Sequence, residues 1–167
     1  MFDKELFQSH LERAHGASSD YDAFGARWNA FNVYYESLFQ PRRQRELDLI
    51  LLAAEALTGA DYAVFLTPAT TKQLFGIRPI FHERDWQRRG IRNTQEHRNL
   101  KVALEEISLG RMPTKADVVL LLTLLYVVRC NMFHGFKTPS SKRDIEVLSA
   151  ANAVFAPFIE TLAHRIL

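Results

Sequence analysis

Apolar residues recur at steps of three and four along most of this chain, which is the spacing of one face of an α-helix. The clearest stripe contains Tyr21, Phe24, Trp28, Phe31, Tyr35 and Leu38. The strict alternation of apolar and polar residues that marks a half-buried strand is not found in the sequence. The pattern therefore predicts an all-α protein.

Full helices are predicted wherever this spacing persists between a capping residue and a helix breaker. They cover residues 2–14, about 21–38, 42–57, 93–108, 114–133 and 141–167. Between residues 59 and 90 the pattern supports only short helical pieces, with turns at 67–71 and 76–79. The connections are short and the chain has 167 residues, so we expect one helical bundle over 1–167, with about five to seven helices.

The helix over 114–133 is apolar nearly all round, which predicts a place at the centre of the fold or at a subunit interface. Its apolar run, 118–128, is interrupted by Thr123 and is shorter than the roughly 20 residues of a membrane span. No segment near the N-terminus resembles a signal peptide. We therefore expect a cytoplasmic protein with no membrane segment.

Composition narrows the possible functions. The chain is 47% hydrophobic and 24% charged with a net charge of only +2, which is ordinary for a globular protein. The single cysteine, Cys130, excludes an intramolecular disulfide and is compatible with a reducing compartment. The six histidines show no metal-ligand spacing, and no glycine-rich phosphate loop is present. No metal and no cofactor are predicted.

Candidate chemistry is concentrated at the end of the apolar helix, in the segment YVVRCNMFHG at residues 126–135. Asn131 and His134 are three residues apart and share a helix face. Arg129 and His134 are five apart, so on a regular helix they point about 140° away from each other. A two-fold dimer packed along this helix would place two copies of each around one cleft. The same residues also fit a structural role, because cations stabilise the end of a helix.

The spacing Arg129-x4-His134, placed before Gly135, resembles the Arg-x(4–6)-His signature of the HEPN superfamily. The longer string VRCNMFHG…K…RD resembles stand-alone bacterial HEPN proteins, and residues 28–32, WNAFN, resemble an aromatic-Asn element of some of those chains. This resemblance implies a HEPN-like helical domain that cleaves RNA without a metal and acts as a homodimer. The implied catalytic residues are Arg129, His134 and Asn131. Many family members carry a polar residue directly after the arginine, where this chain has Cys130.

The chemistry of these side chains is compatible with that activity. RNA is cleaved when its 2′-hydroxyl attacks the adjacent phosphate, which requires a base, an acid and positive charge. Histidine has an ordinary pKa of about 6.5, so His134 can act as acid or base. Arg129 can bind phosphate oxygens through its planar fork, and Asn131 can orient the imidazole. The requirement for a 2′-hydroxyl predicts that DNA is left intact.

Basic residues outside this motif are candidates for RNA binding. Lys137, Lys142 and Arg143 follow it closely, and Arg88 and Arg89 belong to a segment, 78–101, with seven basic and three acidic residues. That segment also fits a solvated helix face anchored by Trp86. The polar pair Asn32 and Glu36, four residues apart beside the aromatic stripe, is predicted to face the site.

Three functions remain open on the sequence. The first is a HEPN endoribonuclease, as a toxin with an antitoxin partner or as an antiviral defence effector. The second is a non-catalytic HEPN module that binds RNA, a nucleotide or a protein. The third is a structural helical dimer in which Arg129 and His134 stabilise a helix end. An enzyme needs both side chains exposed in one cleft, whereas a structural pair would be buried or hydrogen-bonded.

Overall fold

The structure is a computed structural model that describes residues 1–38, 46–75, 91–133 and 141–167. These parts of the chain contain helices and no strand, so the predicted all-α class is confirmed. The α-helices are α1 (Lys4–His15), α2 (Asp20–Ser37), α3 (Glu46–Ala53), α4 (Gly59–Phe65), α5 (Pro68–Phe75), α6 (Ile91–Ser108), α7 (Lys115–Phe133) and α8 (Lys142–Ile166). A 3₁₀ turn over Ala54–Ala56 follows α3 directly.

Side-chain caps fix where several helices begin. The Ser19 hydroxyl accepts a hydrogen bond from the backbone N–H of Asp22 at 3.1 Å, at the start of α2. At the start of α7 the carboxylate of Asp117 accepts from the backbone N–H and the hydroxyl of Thr114, at 2.7 and 2.8 Å. Serine, threonine and aspartate are residue types that favour such positions at the start of a helix. These two caps set the register of the two helices that carry most of the candidate site.

The segment 67–71 differs from the prediction, because Pro68 opens a helix where a turn was expected. The side chains of Thr67 and Thr70 cap this helix reciprocally, each accepting from the other's backbone N–H at 3.2 and 3.0 Å. Proline is well suited to the first helical position, since its missing N–H has no partner there in any case.

The core is built on the aromatic stripe of α2 packed against α8. Phe31 is fully buried and lies edge-on to Phe155 and Phe158, with ring centroids 6.0 and 5.3 Å away. Trp28, 1% exposed, lies 5.6 Å from the Phe155 ring. Helix α8 continues through Pro157, and the hydroxyl of Thr161 donates to the Pro157 carbonyl at 2.7 Å. The apolar stripe from which α2 was predicted therefore faces the core.

Helix α7 lies against this core, as its composition predicted. Val118, Leu121, Leu125 and Val128 are fully buried. By length and composition, α8 is the helix in the described residues that could cross a membrane, but 61% of its apolar window is buried within the fold. Burial of this kind is also found in the core helices of soluble proteins, so α8 is weak evidence for a membrane span.

Candidate active site at the end of helix α7

Arg129 lies four residues before the last residue of α7, in the segment where the sequence had placed the candidate chemistry. A quarter of its side chain is exposed (25%), so the guanidinium is neither fully buried nor free in solvent. Helix α7 ends at Phe133, one residue before His134. The predicted site residues His134, Lys137, Arg88 and Arg89 lie outside the described residues.

The guanidinium of Arg129 faces the carboxylate of Glu46, the first residue of α3. Nη2 lies 3.3 Å from Oε1, and Nη1 lies 3.5 Å from Oε2. Two nitrogens therefore face two oxygens, in the fork arrangement that arginine also uses for phosphate. Both distances exceed the roughly 2.7–2.9 Å of a tight charge-assisted hydrogen bond. The ion pair is also accessible to solvent, with 28% of the Glu46 side chain exposed.

Glu46 has a shorter bond to Tyr35, from the last turn of α2. The Tyr35 hydroxyl donates to Oε1 of Glu46 at 2.7 Å. Tyr35 is fully buried, and burial together with the Glu46 carboxylate raises the pKa of its hydroxyl. The hydroxyl therefore stays protonated and holds the carboxylate in place. Three helices, α2, α3 and α7, meet at this carboxylate.

Trp28 and Cys130 complete the surroundings of the guanidinium. Cζ of Arg129 lies 6.0 Å from the centre of the buried Trp28 ring, at the outer limit of a cation–π contact. The sulfur of Cys130 is 4.0 Å from Nη1. Burial works to lower the pKa of Arg129, but the Glu46 carboxylate and the Cys130 thiol outweigh it, so the net shift is upward. The guanidinium is a permanent cation.

Tyr126 lies one helical turn before Cys130 and belongs to the same group of side chains. Burial, the Cys130 sulfur and the Glu46 carboxylate raise the pKa of Tyr126 to about 12. We refer to Trp28, Tyr35, Glu46, Tyr126, Arg129 and Cys130 as the Arg129 cluster. It is an arrangement of fixed polar groups around one cation, with its two tyrosine hydroxyls neutral at physiological pH.

The other predicted site residues are not part of this cluster. Asn131 is 4% exposed, and two residues after Arg129 on a helix it points to nearly the opposite side. Asn32 is half-buried and Glu36 is exposed, and neither forms a hydrogen bond or ion pair with Arg129. Lys142 and Arg143 are exposed in the first turn of α8. Sequence analysis did not identify Glu46, and it identified Tyr35 only as part of the apolar stripe.

The cluster can bind an anion through Arg129 and shield it from water on the Trp28 side. Among the described residues, no group of three or more His, Cys, Asp or Glu side chains is placed to hold a metal ion. Comparison of the chain with models of protein families, with curated proteins and with solved structures gave no match. The function is therefore argued from the residues of the site.

Proposed function

We propose that the protein is a metal-independent endoribonuclease of HEPN type, with Arg129 and His134 as its catalytic residues. The observation that carries the proposal is the environment of Arg129: its ion pair, its exposure and its position in the chain. Its guanidinium is held by a fixed carboxylate at the end of a buried helix, remains a quarter exposed, and precedes His134 by five residues. A permanent cation that is partly open to solvent can bind a phosphate and stabilise the negative charge that develops on it.

In the proposed reaction the 2′-hydroxyl of one nucleotide attacks its own 3′-phosphorus. The P–O5′ bond then breaks, leaving a 2′,3′-cyclic phosphate on one product and a 5′-hydroxyl on the other. The imidazole of His134 takes the proton of the attacking hydroxyl and then, as the imidazolium, supplies a proton to the leaving oxygen. Arg129 binds the phosphate oxygens while the phosphorane carries its extra charge.

The remaining parts of the proposal concern binding and assembly. Lys142 and Arg143 are exposed in the first turn of α8, a few residues after the motif, and would contact the RNA backbone. Two copies of the chain would share the site, since Arg129 and His134 diverge on one regular helix. In its biological setting we place the protein in the cytoplasm, as a toxin held by an antitoxin or as an antiviral effector. Asn131, buried on the far side of α7 from Arg129, would act by orienting His134.

One observation favours the structural alternative. The ion pair between Arg129 and Glu46, together with the Tyr35 hydrogen bond, ties α2, α3 and α7 together. In a purely structural protein this would be the whole purpose of Arg129. Replacing Arg129 would then lower the free energy of unfolding and change no RNA-directed property.

Cleavage of labelled single-stranded RNA in EDTA separates these functions. The parent protein is compared with Arg129→Ala, with His134→Ala and with Arg13→Ala, which removes an exposed arginine of α1 as a matched control. We expect the parent and Arg13→Ala to cleave RNA and leave DNA of the same sequence intact, and the other two folded variants to be inactive. RNA binding without cleavage by the parent would instead identify a non-catalytic binding module.

A further inference from the structure

The carboxylate of Glu46 occupies the position on Arg129 that a phosphate would need. Its two oxygens face Nη1 and Nη2 of the guanidinium at 3.5 and 3.3 Å. A phosphate bound through two oxygens uses the same two nitrogens in the same plane. The two acceptors are therefore alternatives at this face of Arg129.

The contacts of Glu46 differ in length. This difference indicates how a phosphate can replace the carboxylate at Arg129. Its short bond, 2.7 Å, is to the hydroxyl of Tyr35, while both distances to Arg129 exceed 3.2 Å. Tyr35 is fully buried, whereas a quarter of the Arg129 side chain is exposed. Arg129 can thus turn toward an incoming anion while Glu46 keeps its bond to Tyr35.

We propose that Glu46 competes with an RNA phosphate for binding to Arg129, and that the hydrogen bond from Tyr35 holds Glu46 in position. This inference rests on the proposed function, because it assumes that Arg129 binds phosphate. In the free protein Glu46 neutralises Arg129 and keeps the guanidinium oriented. In the complex the phosphodiester takes the place of the carboxylate, whose remaining negative charge lowers affinity for the bound strand.

Removing the charge of Glu46 should therefore strengthen binding. Glu46→Gln keeps an oxygen that accepts from Tyr35 but no longer neutralises Arg129. The probe is a 2′-O-methylated single-stranded RNA, which has no 2′-hydroxyl to attack and stays intact. We expect binding about five-fold tighter than for the parent at low salt. The plot of log affinity against log salt should steepen by about 0.7, the value for one phosphate on a single strand, because no displaced carboxylate then takes up a counterion in exchange.

Two further variants make the test specific. Glu55→Gln removes the same charge from another ion pair, with Lys115, whose two side chains are more exposed. We expect it to leave both the affinity and the salt dependence near those of the parent. In an Arg129→Ala background, Glu46→Gln should no longer steepen the salt dependence, because Arg129, the cation that Glu46 neutralises, is absent.

The outcomes distinguish this inference from the proposed function. If unmodified RNA is cleaved and Arg129→Ala weakens binding, but Glu46→Gln binds no tighter than the parent, the inference is wrong and the proposed function stands. If neither the parent nor Glu46→Gln binds the probe, both fail, since both require Arg129 to bind phosphate. Should Glu46→Gln not fold, Glu46→Asp keeps the charge but shortens the side chain. It should then bind more tightly than the parent by a smaller factor, and equal or weaker binding would overturn the inference.

Discussion

The hydroxyl of Tyr35 and the carboxylate of Glu46 lie 2.7 Å apart, although one is fully buried in α2 and the other is the first residue of α3. The bond orients a carboxylate whose second function is to face Arg129 of α7. Tyr35 thereby connects the aromatic core to the candidate site. Its hydroxyl is the one polar atom of a side chain whose ring otherwise packs edge-on against Phe31.

Replacing Tyr35 with phenylalanine should lower stability. The variant removes the hydrogen-bond donor from a charged acceptor while leaving the aromatic packing intact. We expect a loss of about 2 kcal/mol in the free energy of unfolding, measured by urea denaturation. Tyr34→Phe is the matched control, since the hydroxyl of this neighbouring tyrosine has no hydrogen bond to another described residue. An equal loss in both variants would contradict the role given to Tyr35.

A second prediction concerns acid stability and the pair Asp61–Arg165. Oδ1 of Asp61 lies 2.8 Å from Nη2 of Arg165, and the other oxygen accepts from the N–H of Thr58. These bonds, that of Arg165 first, lower the pKa of Asp61 from 3.8 to about 2. Because the folded-state pKa is the lower one, the stabilisation is complete above about pH 4 and is lost as pH falls toward 2.

Asp61→Asn should therefore be less stable than the parent at pH 7, by about 1 kcal/mol given the exposure of Arg165. The difference should shrink between pH 4 and pH 2. Thermal unfolding across this range measures it, with the exposed Glu12→Gln as a control. A difference that stays constant down to pH 2 would show that Asp61 acts through something other than its charge.

The turn between α6 and α7 provides a third prediction. Arg111 donates to both oxygens of the buried Asp117, at 3.0 and 2.9 Å, and so ties the turn to the first turn of α7. Arg111→Ala leaves a buried carboxylate with only the donors of Thr114, and we expect a loss of about 2 kcal/mol. The double variant Arg111→Ala/Asp117→Asn should lose less free energy of unfolding than the sum of the losses in the two single variants. Strict additivity in this double-mutant cycle would contradict the pairing.

The helices were largely predictable because local rules decide them. The aromatic stripe predicted α2 to within one residue of its observed end, and Thr114 with Asp117 marked the start of α7. Pro68 was taken for a turn because proline and the threonines at 67, 70 and 71 are typical of turns as well as of helix starts. The reciprocal hydrogen bonds of Thr67 and Thr70 favour the helix over the turn. Those hydrogen bonds depend on backbone geometry, which cannot be read from the order of the residues.

The surroundings of Arg129 in the candidate site were predictable only in part, for a different reason. Arg129 was identified because it belongs to a local motif at the end of a helix. Its partner Glu46 is 83 residues away in sequence, and nothing in its own segment distinguishes it from other acidic residues in a first helical turn. Asn32 and Glu36 were chosen for their position beside the stripe, whereas Tyr35, within it, carries the polar contact. Such pairings are set by how the helices pack.

The most direct test of the central claim is the chemistry of the cut ends. A single-stranded DNA containing one ribonucleotide is incubated with the protein in EDTA, beside the same strand with a 2′-O-methyl group at that position. The account predicts cleavage after the ribonucleotide alone, giving a 2′,3′-cyclic phosphate and a 5′-hydroxyl by mass spectrometry, and none with Arg129→Ala or His134→Ala. Cleavage of the 2′-O-methyl strand, or undiminished cleavage by folded Arg129→Ala, would contradict it.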